Sequence, residues 1–149
     1  MAVNGFGTTL EIVMTSKLNP YIGFDGDARE AMEFYRSVFG GDLTLRTFGE
    51  FGAPQPELAD KIMHGTLETP QGFTIMGSDT PPGMTRTVGD NITISLSGDD
   101  ADLLRGHWQQ LSESGTVTVP LEKQMWGDEY GSCVDRYGVN WMVDITPQD

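Results

Sequence analysis

The sequence predicts an α+β fold made of two tandem βαβββ units, and three observations predict it. One strand is written twice, as "GFTIMG" (72–77) and "GVNWMV" (138–143), each with a Gly, two residues, a large apolar residue and Met. Each copy ends a segment in which a short strand, an amphipathic helix and three strands follow one another. A linker rich in Pro and Gly, "TPPGMTRTVGD" (80–90), separates the two segments.

The first unit is predicted over about residues 20–78. Its helix covers 27–41, where apolar residues recur at helical spacing. Asp27 with Glu30 three residues later predicts a capping box at the start of this helix, and two glycines end it. The predicted strands of this unit are residues 20–24, 42–48, 61–69 and 72–77.

The second unit is predicted over about residues 91–146. Its first strand, "NITISLS" (91–97), alternates strictly between apolar and polar residues. The helix that follows has a predicted buried stripe, and His107 is expected to face solvent beside it. That stripe consists of Ala101, Leu104, Trp108 and Leu111, and the remaining strands are 116–122, 130–135 and 140–145.

At 149 residues the chain has the length of about one domain. We expect a single domain over 17–149, with the two units joined by a linker over 79–90. Residues 1–16 fall outside the repeat and are expected to be a disordered or loosely packed extension, within which Met14 is a plausible alternative start.

The formal charge of −13 argues against nucleic acid and anionic membrane surfaces as partners, because both require clustered Lys and Arg. The composition also predicts no positive site for a substrate carboxylate or phosphate. The single cysteine, Cys133, cannot form an internal disulfide, which favours a cytoplasmic location.

Several separate motifs resemble the PhnB-like branch of the vicinal oxygen chelate superfamily, which includes glyoxalase I, bleomycin-resistance proteins and extradiol dioxygenases. The motifs are "LNPYIGFDGDAREAMEFYRSVFGG" (18–41), "KIMHGTLE" (61–68), "MGSD" (76–79) and "WGDEYGSCVDRYGVNWMV" (126–143). The resemblance implies that each unit curls its mixed sheet into a cup with its helix on the convex face. It also implies a small-molecule ligand, and a homodimer with the cups near the interface, paired side by side or with units exchanged.

In the metalloenzymes of this superfamily, the first and last strands of each unit direct metal ligands into the cups. Carried over by motif, these positions fall on Pro20, Met76, Asn91 or Thr93, and Met142. Proline cannot bind a metal, amides and hydroxyls are poor ligands, and a thioether suits Cu(I) rather than an oxygen-activating divalent metal. We therefore predict no metal and no cofactor, and interpret the two methionines as an apolar lining.

The predicted ligand pocket lies on the concave faces, with Met76, Met142 and Thr93 deep inside. His64 is a structural imidazole bonded to backbone or to a neighbouring carboxylate, a pocket residue that acts as acid, base or ligand donor, or a metal ligand, and it is the candidate catalytic residue. Trp126 either forms the mouth of a cup or packs between the units. The remaining predicted pocket residues are Glu68 on the wall, Tyr130 at the mouth, and Thr74 and Asn140 on the same faces as the methionines.

Three functions stay open at this point. The favoured one is a metal-free small-molecule binding protein of the bleomycin-resistance type. The second is a lyase, isomerase or dioxygenase that uses a relocated metal or His64 as general base. The third is a protein-binding module with an acidic surface. A methyltransferase activity, sometimes attached to PhnB-like proteins, has no support, since no glycine-rich loop follows a strand to hold a methyl-donor nucleotide.

Overall fold

The computed structural model describes residues 16–53 and 55–148, so residues 1–15 of the predicted extension, including Met14, lie outside the described residues. The first unit consists of β1 (Tyr21–Phe24), α1 (Ala28–Phe39), β2 (Asp42–Thr47), a 3-10 helix (Gly49–Phe51), α2 (Pro56–Ala59), β3 (Ile62–Glu68) and β4 (Thr74–Asp79). The second consists of β5 (Ile94–Gly98), α3 (Ala101–Glu113), β6 (Thr116–Lys123), β7 (Glu129–Val134) and β8 (Asn140–Ile145).

The strands form two four-stranded mixed sheets of identical topology. The order is β1-β4-β3-β2 in one and β5-β8-β7-β6 in the other. In each sheet the first and last strands of the unit pair in parallel, and the remaining pairs are antiparallel. The predicted fold class, α+β with two tandem βαβββ units and helices packed on their sheets, is confirmed.

The start of α1 differs in detail from the predicted capping box. Asp27 makes no side-chain hydrogen bond at the helix start. Instead the buried carboxylate of Asp79, at the end of β4, accepts hydrogen bonds from the backbone N–H groups of Gly26 (2.8 Å), Ala28 (3.0 Å) and Ile62 (2.8 Å). Asp79, 52 residues after Asp27, therefore accepts from the backbone N–H groups at the start of α1 that have no partner within the helix. It also joins β1, α1 and β3.

The core lies between the two units. Helix α1 packs on β2, β3 and β4, helix α3 packs on the second sheet, and the two helices contact each other. Aromatic side chains connect the units: the ring of Phe39 lies 5.6 Å from that of Trp141 and 4.8 Å from that of His107. Buried side chains of both units belong to a single hydrophobic cluster, so the units share one core.

A buried carboxylate joins the units at this contact. Asp135, in the turn after β7, accepts hydrogen bonds from the hydroxyl of Tyr35 in α1 (2.6 Å) and from the indole N–H of Trp141 in β8 (2.8 Å). The backbone N–H groups of Tyr137 and Val139 donate to its other oxygen. Four donors compensate for the burial of this charge. Burial raises the pKa of Tyr35, and the Asp135 carboxylate raises it further.

The expectation that His107 faces solvent is wrong. His107 is 5% exposed and belongs to the buried stripe of α3, together with Leu104 and Leu111. Its Nε2 is buried and has no hydrogen-bond partner among the described residues. Burial lowers the pKa of His107. Trp108, predicted for the stripe, is only partly buried against the core.

No helix within residues 16–53 and 55–148 has both the length and the apolar character needed to cross a membrane.

Candidate functional site

The candidate site is the face of each sheet that points away from the helices. Burial alternates along β4 and along β8, so that Ile75 and Trp141 point into the core while their neighbours Met76 and Met142 point to the opposite face. That opposite face is the concave one, and polar side chains surround the methionines on it. We call these surfaces the first and second concave faces, after their units.

A chain of hydrogen bonds crosses the first concave face. The Tyr21 hydroxyl lies 3.2 Å from Nδ1 of His64, and the Thr66 hydroxyl lies 2.9 Å from Nε2. The rings of Tyr21 and His64 are 5.7 Å apart, centre to centre. His64 is thus bonded to two hydroxyl groups of this face rather than to backbone or a carboxylate, which was the predicted structural alternative. Both partners hold the imidazole on the exposed side of the sheet.

The strand register places Met76 directly opposite Tyr21 of β1 and Thr66 of β3. The prediction that Pro20 supplies the first-strand position of the cup is therefore wrong by one residue. Because side chains alternate along a strand, this one-residue shift moves Pro20 off the concave face and Tyr21 onto it. The sequence motif located the strand but carried no information on which residue of it faces Met76.

Acidic side chains lie at the other end of this face. Glu68 pairs in register with Thr74 on one side and with Asp42 on the other. Four residues separate Glu68 from His64 in β3, which corresponds to about 13 Å along the strand. The predicted wall residues His64 and Glu68 therefore belong to one face but to its opposite ends.

Two arginines that the sequence analysis missed lie at the His64 end. Arg46 of β2 pairs in register with His64 and forms an exposed ion pair with Glu50, at 3.2 Å. Arg86 of the linker donates to the Gly23 carbonyl at 3.4 Å. A Cβ built on Gly23 would point to the concave side and would lie 4.0 Å from Cδ of Arg86. The Arg86 side chain therefore lies against the concave side of β1 at the free edge of the sheet.

On the second concave face, Met142 lies opposite Ser95 of β5 and Ser132 of β7. Strand β5 begins only at Ile94, and Thr93 is exposed before it. The strand register therefore places Ser95, rather than Asn91 or Thr93, opposite Met142, and the place of Thr93 in the ligand pocket stays a prediction. Asn140 shares the face of Met142, and its amide donates to the carbonyl of Ile92 at 3.3 Å.

Tyr130 of β7 lies on the second concave face, opposite Asp144 in register. One carboxylate oxygen of Asp144 is buried without a hydrogen-bond partner in the described part of the chain. Burial raises the pKa of Asp144, and the neighbouring Asp128 carboxyl raises it further. The Asp144 carboxyl thus lies beside Tyr130 and near Asp128. Neither Asp128 nor Asp144 was among the predicted site residues.

Trp126 lies at the tip of the β6–β7 hairpin, where it is 62% exposed next to the 98% exposed Met125. The alternative in which Trp126 packs between the two units of one chain is wrong. A turn at Gln124 to Asp128 closes the hairpin and projects this pair away from the core.

The first- and last-strand positions of the two faces are Tyr21, Met76, Ser95 and Met142, which offer hydroxyls and thioethers. Such donors do not suit the divalent metals of the metalloenzymes. Within residues 16–53 and 55–148, no three His, Cys, Asp or Glu side chains are grouped closely enough to hold a metal ion. The side chains at these positions therefore do not fit the divalent metal that the resemblance implies.

Two cavities of the described residues are lined by neither Met76 nor Met142. One of about 520 Å³ is lined by polar residues around the start of α3, including Arg105 and Glu129, which form an ion pair. Another of about 370 Å³ lies at the junction of the two units and includes Thr74 among its lining residues. Side chains on both concave faces, including those of Tyr21, Glu68 and Ser95, are exposed within the described part of the chain.

Comparison with known proteins identifies the family. The model of the Glyoxalase/Bleomycin resistance protein/Dioxygenase superfamily matches residues 17–143. The chain belongs to this superfamily. Protein MT0910 of Mycobacterium tuberculosis (strain CDC 1551 / Oshkosh) is 32% identical over 145 residues, covering 92% of this chain and 78% of that protein.

Two solved structures share the fold. Protein PA1353 from Pseudomonas aeruginosa superposes with a TM-score of 0.78 at 33% identity, covering 90% of this chain and 100% of that one. The PhnB protein from Bacillus cereus superposes with a TM-score of 0.69 at 22% identity, covering 88% and 100%. The resemblance to the superfamily is confirmed, and a PhnB protein is among its structural neighbours.

Proposed function

We propose that this superfamily member is a PhnB-like small-molecule-binding protein that holds its ligand on the concave faces without a metal or other cofactor. The observation that supports this most directly is the equivalent placement of Met76 and Met142. Each lies opposite the first strand of its unit, on the face free of helices. An apolar floor with a few polar groups around it is the usual composition of a small-molecule site.

We further propose that the protein is a homodimer in which a second copy covers the concave faces. Ligand sites usually bury most of the ligand surface, whereas side chains of both faces are exposed among the described residues. Met125 and Trp126 provide exposed apolar area beside the second face. Nucleic acid and membranes are not proposed as partners, because of the charge of −13, and the cytoplasm is the proposed location.

A thermal-shift screen of small metabolites tests the binding function. A ligand present at 100 times its dissociation constant stabilises the folded protein by about 2.7 kcal/mol. We expect a hit whose effect disappears in the double variant Met76→Glu, Met142→Glu and persists in Met84→Glu, a control at an exposed linker residue. A hit that acts equally on both variants would contradict this site.

The metal content of protein purified without chelator tests the other part of the proposal. We expect no stoichiometric divalent metal, since no suitable donors meet at Tyr21, Met76, Ser95 and Met142. One equivalent of Ni, Zn, Mn or Fe per chain, removed with loss of ligand binding, would overturn the metal-free proposal.

The second candidate function is an enzyme, a lyase, isomerase or dioxygenase, with His64 as general base or with a relocated metal. The hydrogen bonds of His64 with Tyr21 and Thr66 favour this candidate, because fixed partners orient an imidazole for proton transfer. Its test is turnover of a screening hit, followed by His64→Gln. Loss of turnover with ligand binding retained would support the enzyme over the binding protein.

A further inference from the structure

We propose that the cavity at the junction of the two units is a second binding site, which takes a small neutral aromatic molecule. We call this cavity, of about 370 Å³, the junction cavity. Ligand pockets begin at about 300 Å³, so its volume suits a molecule of two fused rings. Neither Met76 nor Met142 lines it, and the inference therefore goes beyond the proposed function.

Aromatic rings form much of the wall of the junction cavity. Phe39 of α1 and Trp141 of β8 both line it, with their ring centres 5.6 Å apart. Both side chains are buried in the core that the two units share. Phe73, just before β4, meets Phe39 edge to face at 6.2 Å and is 36% exposed, so it lies at the mouth. Three rings around one space favour a flat aromatic ligand.

The charge of the lining sets the class of ligand. Every described residue that lines the junction cavity is uncharged, in a chain with 22 acidic and 9 basic side chains. A charged ligand would lose its hydration there without gaining an opposite charge. The polar side chains of the lining are neutral amide and hydroxyl groups, from Asn19, Thr74, Ser95 and Ser97. The junction cavity therefore suits a neutral molecule rather than an acid or an amine.

The free edge of β5 adds directional hydrogen-bonding groups. Among the described strands, β5 lies at the edge of its sheet and pairs with β8 alone. The Gly98 carbonyl accepts from the Thr146 N–H on the β8 side. Neighbouring carbonyls of a strand point in opposite directions, so the backbone groups of Ser97, and of Ser95 two residues before it, point away from β8. A ligand with a donor beside an acceptor can bond to this edge as a neighbouring strand would.

The test is an NMR titration of the full chain with quinolin-2-one, a neutral bicyclic lactam with an N–H donor beside a carbonyl acceptor. The indole N–H signals of the three tryptophans are observed. We expect a saturable shift of the Trp141 signal, with a dissociation constant of about 1 mM or lower for a ligand of this size. Trp108 and Trp126 do not line the junction cavity, and their signals should not move. The anion 2-naphthoate, also bicyclic, should bind at least tenfold more weakly.

Substitutions at the mouth locate the site. Phe73→Ala removes one ring and should weaken quinolin-2-one binding at least fivefold. Phe73→Leu keeps an apolar side chain without the ring, and should weaken binding about threefold. Phe51→Ala is the matched control, because Phe51 is exposed and does not line the junction cavity. It should leave the affinity unchanged, and thermal unfolding of all three variants shows that they are folded.

The absence of a saturable Trp141 shift, or an equal affinity for 2-naphthoate, would overturn the proposal. Equal effects of Phe73→Ala and Phe51→Ala would also overturn it. The exposed Trp126 carries a neutral bicyclic ring of its own. Binding of quinolin-2-one only after Trp126→Ser would therefore assign the junction cavity to a second copy of the chain, and would overturn the small-molecule site.

The methionine methyl signals separate this site from the concave faces. If quinolin-2-one moves Met76 or Met142 and leaves Trp141 in place, the probe binds a concave face. That result would overturn the second site and support the proposed function. Binding at Trp141 with both methionines unmoved supports the second site, and the proposed function then depends on its own screen.

Discussion

The hydroxyl of Tyr21 in β1 lies 3.2 Å from Nδ1 of His64 in β3, across the intervening strand β4. The bond joins two strands that are not neighbours, so it exists only because the sheet places both side chains on its concave face. Thr66 engages the other ring nitrogen. An imidazole held by two hydroxyl groups has a fixed orientation, and this is the chemical centre of the first concave face.

Tyr21→Phe should increase the rate at which diethyl pyrocarbonate modifies His64 by about fivefold, because one hydrogen bond of about 1 kcal/mol no longer protects the ring. Peptide mapping by mass spectrometry measures the rate. The chain has two histidines, and the buried His107 is the control within the same sample. Equal rates at His64 in the variant and the natural sequence would refute a role for Tyr21 in holding the ring.

Tyr35→Phe should lower the free energy of unfolding by about 1.5–3 kcal/mol, since it removes a buried hydrogen bond to a charged carboxylate. Asp135→Asn should cost more, because its amide group would place a donor among four donors. Denaturant titration measures both, with Tyr21→Phe as the control at an exposed tyrosine. A Tyr35→Phe variant as stable as that control would show that Asp135 does not join the units.

Stability should fall as the pH decreases below about 6.5, the pKa of histidine in an unfolded chain. Burial lowers the pKa of His107, so below about pH 6.5 the unfolded state binds more protons than the folded state. The stabilisation is complete above the unfolded-state pKa and is lost as the pH falls through the lower pKa of the folded state. Denaturant titrations between about pH 5.5 and 7.5 should show this slope, and His107→Phe should flatten it. An unchanged slope in the variant would assign the effect to other groups.

Light scattering at micromolar concentration should give twice the mass of the chain. Trp126→Ser should weaken self-association at least tenfold, because it removes the aromatic tip of the β6–β7 hairpin. Phe51→Ser is a matched control, since Phe51 and Trp126 are both 62% exposed. A monomeric natural protein would contradict the proposed dimer, and equal effects of both substitutions would place the interface elsewhere.

The repeat and the eight strands could be predicted because several strands, such as 91–97 and 116–122, alternate between apolar and polar residues and the last strand is written twice. What failed was the register between strands. The sequence alone could not show that Tyr21 rather than Pro20, and Ser95 rather than Thr93, lies opposite a methionine. Both positions depend on pairing with a strand more than 40 residues away.

The spacing of His107 in the sequence already indicated that its side chain is buried, but the sequence analysis placed it in solvent. It lies three residues after Leu104 and four before Leu111, which is the spacing of a buried helical stripe, yet the larger and more apolar Trp108 was preferred. Arg86 and Asp144 left no local signal. Arg86 is a linker residue that reaches β1 only in the folded chain, and Asp144 comes to lie beside Tyr130 only through the β7–β8 register.

The central claim is that Met76 and Met142 form the floor of the ligand site. The most direct test is an NMR titration of protein labelled with ¹³C at the methionine methyl groups, using a hit from the thermal-shift screen. We expect the Met76 or Met142 signal to shift with the same dissociation constant as the thermal effect. The signals of Met32, which is buried in the core, and of exposed Met84 should stay in place. A ligand that stabilises the protein but leaves Met76 and Met142 unchanged would contradict the claim.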